Sequence, residues 1–395
     1  MVWGGILWSM LEMFVMPMMG KGVSFDTRTR KVDFLMIFPR SMIRVAKLIP
    51  LCALLAALTS TLHAQEVANI PGLTAGDRIP PISAKDQNGS VQTFDALKGD
   101  HGLLLLFSRS ADWCPYCKQQ LMQLQQAKRE FEANGVHVAS LTYDSPAILK
   151  SFADRKGITY PMLSDPQSQI IRAFGILNPD GKGFAAGIPF PGMYYITPDG
   201  VIQKRFFEAQ YSDRFTPNVA YAELFGGATP AAKSLAVQRR PHLTLQLAQS
   251  DTVAGPGSRL ELLVKIDPAP KVHVYAPGAE ANGYKVIRLT LDPSPDFRAL
   301  PATYPPGTIM EFPALKESVP VYSKPVVLRQ DIVMTATREF IHSIGEGRQI
   351  EASGTFNYQA CDDHECFSPV SEPVKWTVQV EPLDTVRAPE AIRRK

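Results

Sequence analysis

Gly102-Leu-Leu-Leu-Leu-Phe-Ser-Arg-Ser-Ala-Asp-Trp-Cys-Pro-Tyr-Cys117 is the stretch whose reading decides the fold. Its first half is a short unbroken apolar run, the pattern of a strand buried on both faces. Its second half carries two cysteines two residues apart, followed by Leu121, Leu124, Ala127 and Phe131 at helical spacing until Asn134-Gly135. A Cys-x-x-Cys where a buried strand hands over to a helix places Cys114 among the free N–H groups of the first turn, which favour a thiolate. Cys117, one turn on, is within reach to close or open a disulfide. Pro115 costs the helix no needed donor, and Trp113 is expected to cover the site.

Outward from this stretch the pattern alternates. Val136 to Tyr143 reads as a second buried strand, Ala147 to Arg155 as an amphipathic helix, Tyr160 to Leu163 as a strand and Gln167 to Phe174 as a short helix. Pro191 precedes a strand at Met193 to Ile196, which turns at Pro198-Asp199-Gly200 into Val201 to Phe207. Strands alternating with helices and closing in a hairpin describe an α/β domain over 65–225. A Gly-, Pro- and Ala-rich linker is expected over 226–241, then alternating segments at His242 to Gln249, Leu260 to Ile266, Lys271 to Tyr275, Lys285 to Leu291, Pro325 to Met334, Ile350 to Gln359 and Val374 to Val380. Seventeen of the 33 prolines lie from Pro241 onward and no helix pattern is visible there, so 242–382 is expected to be an all-β sandwich of immunoglobulin type, with 383–395 a tail.

The N-terminal 64 residues read differently. Arg44 and Lys47 precede an apolar run from Leu48 to Leu58 and a small residue, Ala64, which is the pattern of a secretory signal peptide starting at Met42 or Met36. The run is too short to span a bilayer of ~30 Å. Removing residues 1–64 turns the formal charge of +3 into 34 basic against 35 acidic residues, so nucleic acid is not an expected partner. It also discards Cys52 and leaves four cysteines in two short-spaced pairs, Cys114 with Cys117 and Cys361 with Cys366. Two isolated pairs in a periplasmic or otherwise exported chain suggest redox chemistry more than stapling.

Trp-Cys-Pro-Tyr-Cys after an apolar strand, with Pro191 before the late strand, resembles the thioredoxin-fold redoxins of the AhpC/TSA (peroxiredoxin-like) family over about residues 70–222. The resemblance implies Cys114 as nucleophile, Cys117 as resolving thiol and Pro191 facing them, in cis. The family's peroxidases carry Thr or Ser three residues before the reactive cysteine. Here that residue is Ala111, with Ser110 out of register, which favours thiol–disulfide exchange over peroxide reduction.

Near the C-terminus, Tyr358-Gln-Ala-Cys-Asp-Asp-His-Glu-Cys-Phe-Ser-Pro369 sets Cys361 and Cys366 across a turn short enough for a disulfide. With Val272-His-Val-Tyr-Ala-Pro277, this run resembles the N-terminal periplasmic domain of the DsbD thiol:disulfide interchange proteins, an immunoglobulin-like sandwich whose cysteine pair relays electrons from a membrane donor.

The expected function is therefore an exported thiol:disulfide oxidoreductase in which the second dithiol exchanges with the first pair and relays electrons, in a direction the sequence does not fix, with protein thiols or disulfides and a DsbD-type membrane donor as partners. The alternatives are a thiol-dependent peroxidase, and a client- or metal-binding module with a static C-terminal disulfide. Cys361, His364 and Cys366 have ligand types suited to a soft metal, but the acids among them are as well explained by a solvated turn; no metal, cofactor or retained membrane span is expected.

Overall fold

The computed structural model describes residues 70–226, 236–313 and 316–395. The signal-peptide reading, Cys52 and the alternative start sites lie outside these residues.

The α/β part contains β1 (Ser83–Lys85), β2 (Val91–Thr93), α1 (Phe94–Leu97), β3 (Gly102–Phe107), α2 (Pro115–Ala133), β4 (Val136–Thr142), α3 (Pro146–Lys156), β5 (Met162–Ser164), α4 (Gln169–Ala173), β6 (Gly192–Ile196), β7 (Ile202–Phe207), β8 (Arg214–Phe215) and α5 (Pro217–Phe225). Seven strands form one sheet in the order β2-β1-β5-β4-β3-β6-β7. The central strand β3 runs parallel to β4 and antiparallel to β6, and every one of its six residues is buried. Apolar side chains therefore leave both faces of this strand: Leu104 and Leu106 pack under α2 with Leu121, Leu124 and Phe131, while Leu103, Leu105 and Phe107 pack with Phe174, Tyr194 and Ile171 on the other side. The expected strands and helices are present. The helices α1 and α5 and the short β1, β2 and β8 are additions; two- and three-residue strands carry too little periodicity to read.

The C-terminal part adds β9 (Ala236–Arg239), β10 (Leu243–Gln249), β11 (Val253–Ala254), β12 (Ser258–Pro268), β13 (His273–Tyr275), β14 (Arg288–Leu291), β15 (Phe297–Ala299), β16 (Thr308–Phe312), β17 (Glu317–Tyr322), β18 (Val326–Met334), α6 (Arg338–Ser343), β19 (Arg348–Tyr358), β20 (Ala360–Cys361) and β21 (Val370–Val380). Two sheets, β15-β18-β12-β10-β9 and β11-β21-β19-β14, enclose one apolar core that includes Leu245, Leu262, Leu328, Phe356 and the fully buried Trp376. Burial alternates residue by residue along β10, β19 and β21, the period expected of strands with one face on a core. A third sheet, β16-β17-β13-β20, carries the second cysteine pair.

Two expectations are corrected. The C-terminal part does hold a helix: Thr337 caps α6 through the Phe340 N–H at 3.2 Å, a signal too short to stand out among prolines. The expected linker 226–241 ends in structure, since Ala236–Arg239 is β9, paired with β10.

The two parts share a sheet. Beyond the end of the β10 pairing, β12 takes β8 as a parallel neighbour, with Ser258 opposite Arg214 and Arg259 opposite Phe215. Among the described residues no helix is long and apolar enough to cross a membrane.

Candidate active site

The strand-to-helix loop is fixed by a buried carboxylate. Asp144, just past β4, accepts from the Ser110 hydroxyl at 3.0 Å and from the Ala111 N–H at 2.7 Å. The Ser110 oxygen in turn accepts from the N–H groups of Asp112 and Trp113 at 3.0 and 3.4 Å. Burial pushes the Asp144 carboxyl up to about 7 despite these bonds. Ser110 therefore shapes the loop and is spent on it.

Cys114 is the N-cap of α2, with extended backbone and no side-chain cap, and Pro115 is the first helical residue. Both sulfurs are reduced and buried, Cys114 at 2% exposure and Cys117 at 1%. The two thiols lie in one buried environment and act on each other's charge. Burial, joined by the hydrogen bond to Cys117 and the charge there, pushes the Cys114 thiol well up. At Cys117 burial opposes ionisation too, but the hydrogen bond from Cys114, the Arg214 charge and the nearby Ser108 hydroxyl prevail and take it well down. The pair thus shares one proton and one charge, as interacting sites do.

Trp113 turns its indole N–H onto the Tyr143 hydroxyl at 2.8 Å and packs edge-on against Phe184. The Arg109 guanidinium lies 5.0 Å from its ring centre and 5.3 Å from that of Tyr211. Pro191 immediately precedes Gly192, which pairs with Phe107, so the proline stands level with Ser108 where the cysteine loop leaves the sheet.

Two other parts of the chain close over this site. From the β-sandwich, Ser258 Oγ accepts from the side-chain amides of Gln119 and Gln123 at 3.0 and 3.2 Å, and the Tyr116 hydroxyl donates to the Ala336 carbonyl at 3.4 Å. From the tail, Arg387 grips Asp112 with two bonds of 2.8 and 2.6 Å, and the Ala388 N–H adds a third at 2.7 Å. Asp384 sits among Lys118 at 3.6 Å, Arg155 at 2.6 Å and Lys156 at 2.9 Å. Lys118 is fully buried and also donates to the Val386 carbonyl at 2.9 Å. The expected tail is a strap across both flanks of the Cys-Pro-Tyr-Cys turn. Nothing in its composition announced this.

Cys361 and Cys366 form a disulfide with Cα atoms 4.0 Å apart. Asp362 folds the turn by accepting from the His364 and Glu365 N–H groups at 2.7 and 2.9 Å. His273 pairs with Cys361 across the sheet and is buried against Tyr275 and Phe312, and the Tyr275 hydroxyl lies 3.7 Å from Cys366 Sγ. The structure does not bring this pair to the first. Arg348 pairs with Val380, whose chain continues into the strap, and Tyr358 pairs with Val370 at the other end of the same eleven-residue strands. At about 3.3 Å per residue these strands carry the hairpin roughly 30 Å along the sheet from the end that leads into the strap, and sulfur exchange requires contact.

Fold and site together define a dithiol redox protein of thioredoxin type. Residues 75–205 match the AhpC/TSA family. The chain is 25% identical over 160 residues to a 1-Cys peroxiredoxin of Hordeum vulgare, covering 39% of this chain and 72% of that one. It is 26% identical over 156 residues to a putative peroxiredoxin of Mycobacterium tuberculosis, covering 38% and 91%. Among solved structures, a thiol peroxidase from Chromobacterium violaceum aligns at 17% identity and a TM-score of 0.34, covering 40% of this chain and 88% of that one. The chain is a thiol-dependent oxidoreductase.

Proposed function

We propose that the protein is an exported thiol-dependent peroxidase working through Cys114 and Cys117. The observation that carries this reading is the burial of both sulfurs beneath a docked sandwich and strap: a hydroperoxide is small enough to enter such a site, whereas a polypeptide disulfide needs it opened. Cys114 passes its proton to Cys117 and attacks the peroxide, whose O–O bond breaks to give a sulfenic acid and, after protonation, an alcohol or water. Cys117 then displaces the sulfenic oxygen as water, and the resulting disulfide takes two electrons from an external dithiol. The relatives' names support this substrate.

A second reading, exchange with protein disulfides, is favoured by Ala111 at the place of a peroxide-polarising hydroxyl and by Pro191 beside the loop. The leader supports export to the periplasm or beyond, and the Cys361–Cys366 hairpin supports an immunoglobulin-like, DsbD-type role for the sandwich, receiving electrons from a membrane donor. The separation of the pairs makes that relay one between molecules. The deciding experiment compares peroxide consumption with insulin-disulfide reduction, in the parent and in Cys114→Ser. Peroxide turnover that Cys114→Ser abolishes supports the proposal; disulfide reduction without peroxide turnover overturns it.

A further inference from the structure

Arg214 lies beyond the segment that matches the family. Its side chain is 4% exposed, yet only one of its nitrogens has a described partner: Nη1 donates to the Asp213 carbonyl at 2.7 Å, while Nε and Nη2 are buried with none. A guanidinium is always charged and carries five donors. Buried without an anion, it costs several kcal/mol. The neighbouring carboxylate does not compensate it, because Asp213 is turned to Ser212 at 3.1 Å and to Arg298 at 2.9 Å. Nor do Asp331 on β18 and Glu208 just past β7, both taken by Arg259, or Glu261 on β12, taken by Arg329.

What places Arg214 there is the sandwich. Its N–H donates to the Gly257 carbonyl at 2.8 Å, and β8 pairs with the start of β12. Gly257, at φ +80°, approaches so closely that a Cβ on it would stand 3.5 Å from the Tyr116 ring. Arg214 is thus anchored at Gly257, which borders Tyr116 of the Cys-Pro-Tyr-Cys turn, and its charge is felt by Tyr116 and by the two thiols.

We propose that Arg214 is the cation that compensates the thiolate of the Cys114–Cys117 pair, and that the β-sandwich, by holding β8, keeps it there. This deepens the function proposed above by naming a charge-stabilising residue outside the redoxin segment. The Arg214 charge favours the ionised form of both cysteines, which agrees. The consequence is that thiol reactivity depends on domain docking.

The test is the thiolate ultraviolet absorbance of the reduced protein against pH, taken as the difference from a Cys114→Ser, Cys117→Ser double variant. No peroxide is present, so the outcome is independent of which substrate the enzyme takes. In Arg214→Met the first ionisation is expected to rise by about one unit, a tenfold loss of thiolate at any pH below that ionisation, while Arg214→Lys keeps most of it. Arg214→Gln serves if the Met variant does not fold, with circular dichroism as the check. A Met or Gln profile superimposable on the parent overturns the proposal, and so does a Lys profile shifted as far as theirs.

Discussion

Arg387→Gln is expected to release the strap without unfolding the protein. Arg387 holds Asp112 by two bonds, and the Asp112 side chain is 3% exposed while that of Arg387 is 39% exposed. Removing one partner of a buried pair costs about 3–5 kcal/mol. Here the Ala388 N–H still serves Asp112, and the outer part of the guanidinium is already in water, so about 2 kcal/mol is the expected loss. That is roughly a 30-fold rise in the open population. Hydrogen exchange of residues 382–395, read by mass spectrometry, should lose protection by that factor, while the Cys361–Cys366 hairpin at the far end of the sandwich keeps its own. The strap should also loosen in acid. For Asp112 burial works against ionisation, but Arg387 and the Ala388 N–H outweigh it and hold the carboxyl below its ordinary 3.8. For Asp384 burial is likewise outweighed, by Arg155 and Lys156. Groups with lowered folded values stabilise fully above the ordinary carboxylate value and lose that contribution as pH falls below it. Protection should therefore be flat above about pH 4 and fall beneath it. Unchanged exchange in Arg387→Gln, or loss shared equally with the hairpin, refutes the reasoning.

Three further outcomes follow from other contacts. Asp144, raised by burial to about 7, binds a proton in the folded state that the unfolded chain has already released, so stability should decline between about pH 4 and 7 and level off above; Asp144→Asn should flatten part of that slope in urea titrations, and a slope unaltered by the substitution would count against it. Cys361→Ser removes a disulfide closing a very short loop, an expected loss of about 2 kcal/mol by the chain-entropy relation. Because the hairpin stands at the far end of β19 and β21 from the strap, reduction of the Cys114–Cys117 disulfide by an external dithiol should be unaltered in that variant, and a slowed reduction would restore a relay within one chain. Trp376→Ala, at a fully buried residue whose indole donates to the Ala248 carbonyl at 2.8 Å, should cost about 3–5 kcal/mol and be seen as a lower urea midpoint.

The redoxin domain was legible because its signals are local. A run such as Leu103 to Phe107 has one physical outcome in an α/β sheet, and Cys-Pro-Tyr-Cys at a strand-to-helix junction fixes where the thiols stand. The sandwich strands were legible for the same reason, since β10, β19 and β21 alternate along their length. What could not be read depends on long-range pairing. Asp144 carries no motif, and only the sheet brings it 33 residues back to Ala111. Arg387 lies 275 residues from Asp112, and Arg214 sits in a two-residue strand that exists only because β12 offers it an edge. The charge on the dithiol depends on the fold as well: the helix N-terminus acts locally on Cys114, whereas Arg214 reaches the pair only through the β8–β12 pairing.

The same long-range contacts bear on how the two cysteine pairs divide the work. The site at Cys114 is closed by its own chain on two flanks, with the sandwich over Tyr116 and the strap over Asp112. The hairpin of Cys361 and Cys366 stands at the opposite end, in a groove formed with His273, Tyr275, Met310 and Phe312. A tether raises effective concentration only when its geometry lets the two sites meet. Here the shared β8–β12 pairing and the strap both hold the sandwich in the orientation that keeps them apart. Linking the modules therefore gives no advantage to exchange within a chain while these contacts last. What the linkage does give is control of the first pair: the sandwich brings a buried cation to the thiols and narrows what can reach them. A chain in which the strap and β8 contacts are both broken should lose this restraint, and mixed disulfides between Cys117 and Cys361 of a single chain should then become trappable, whereas the intact protein should yield none.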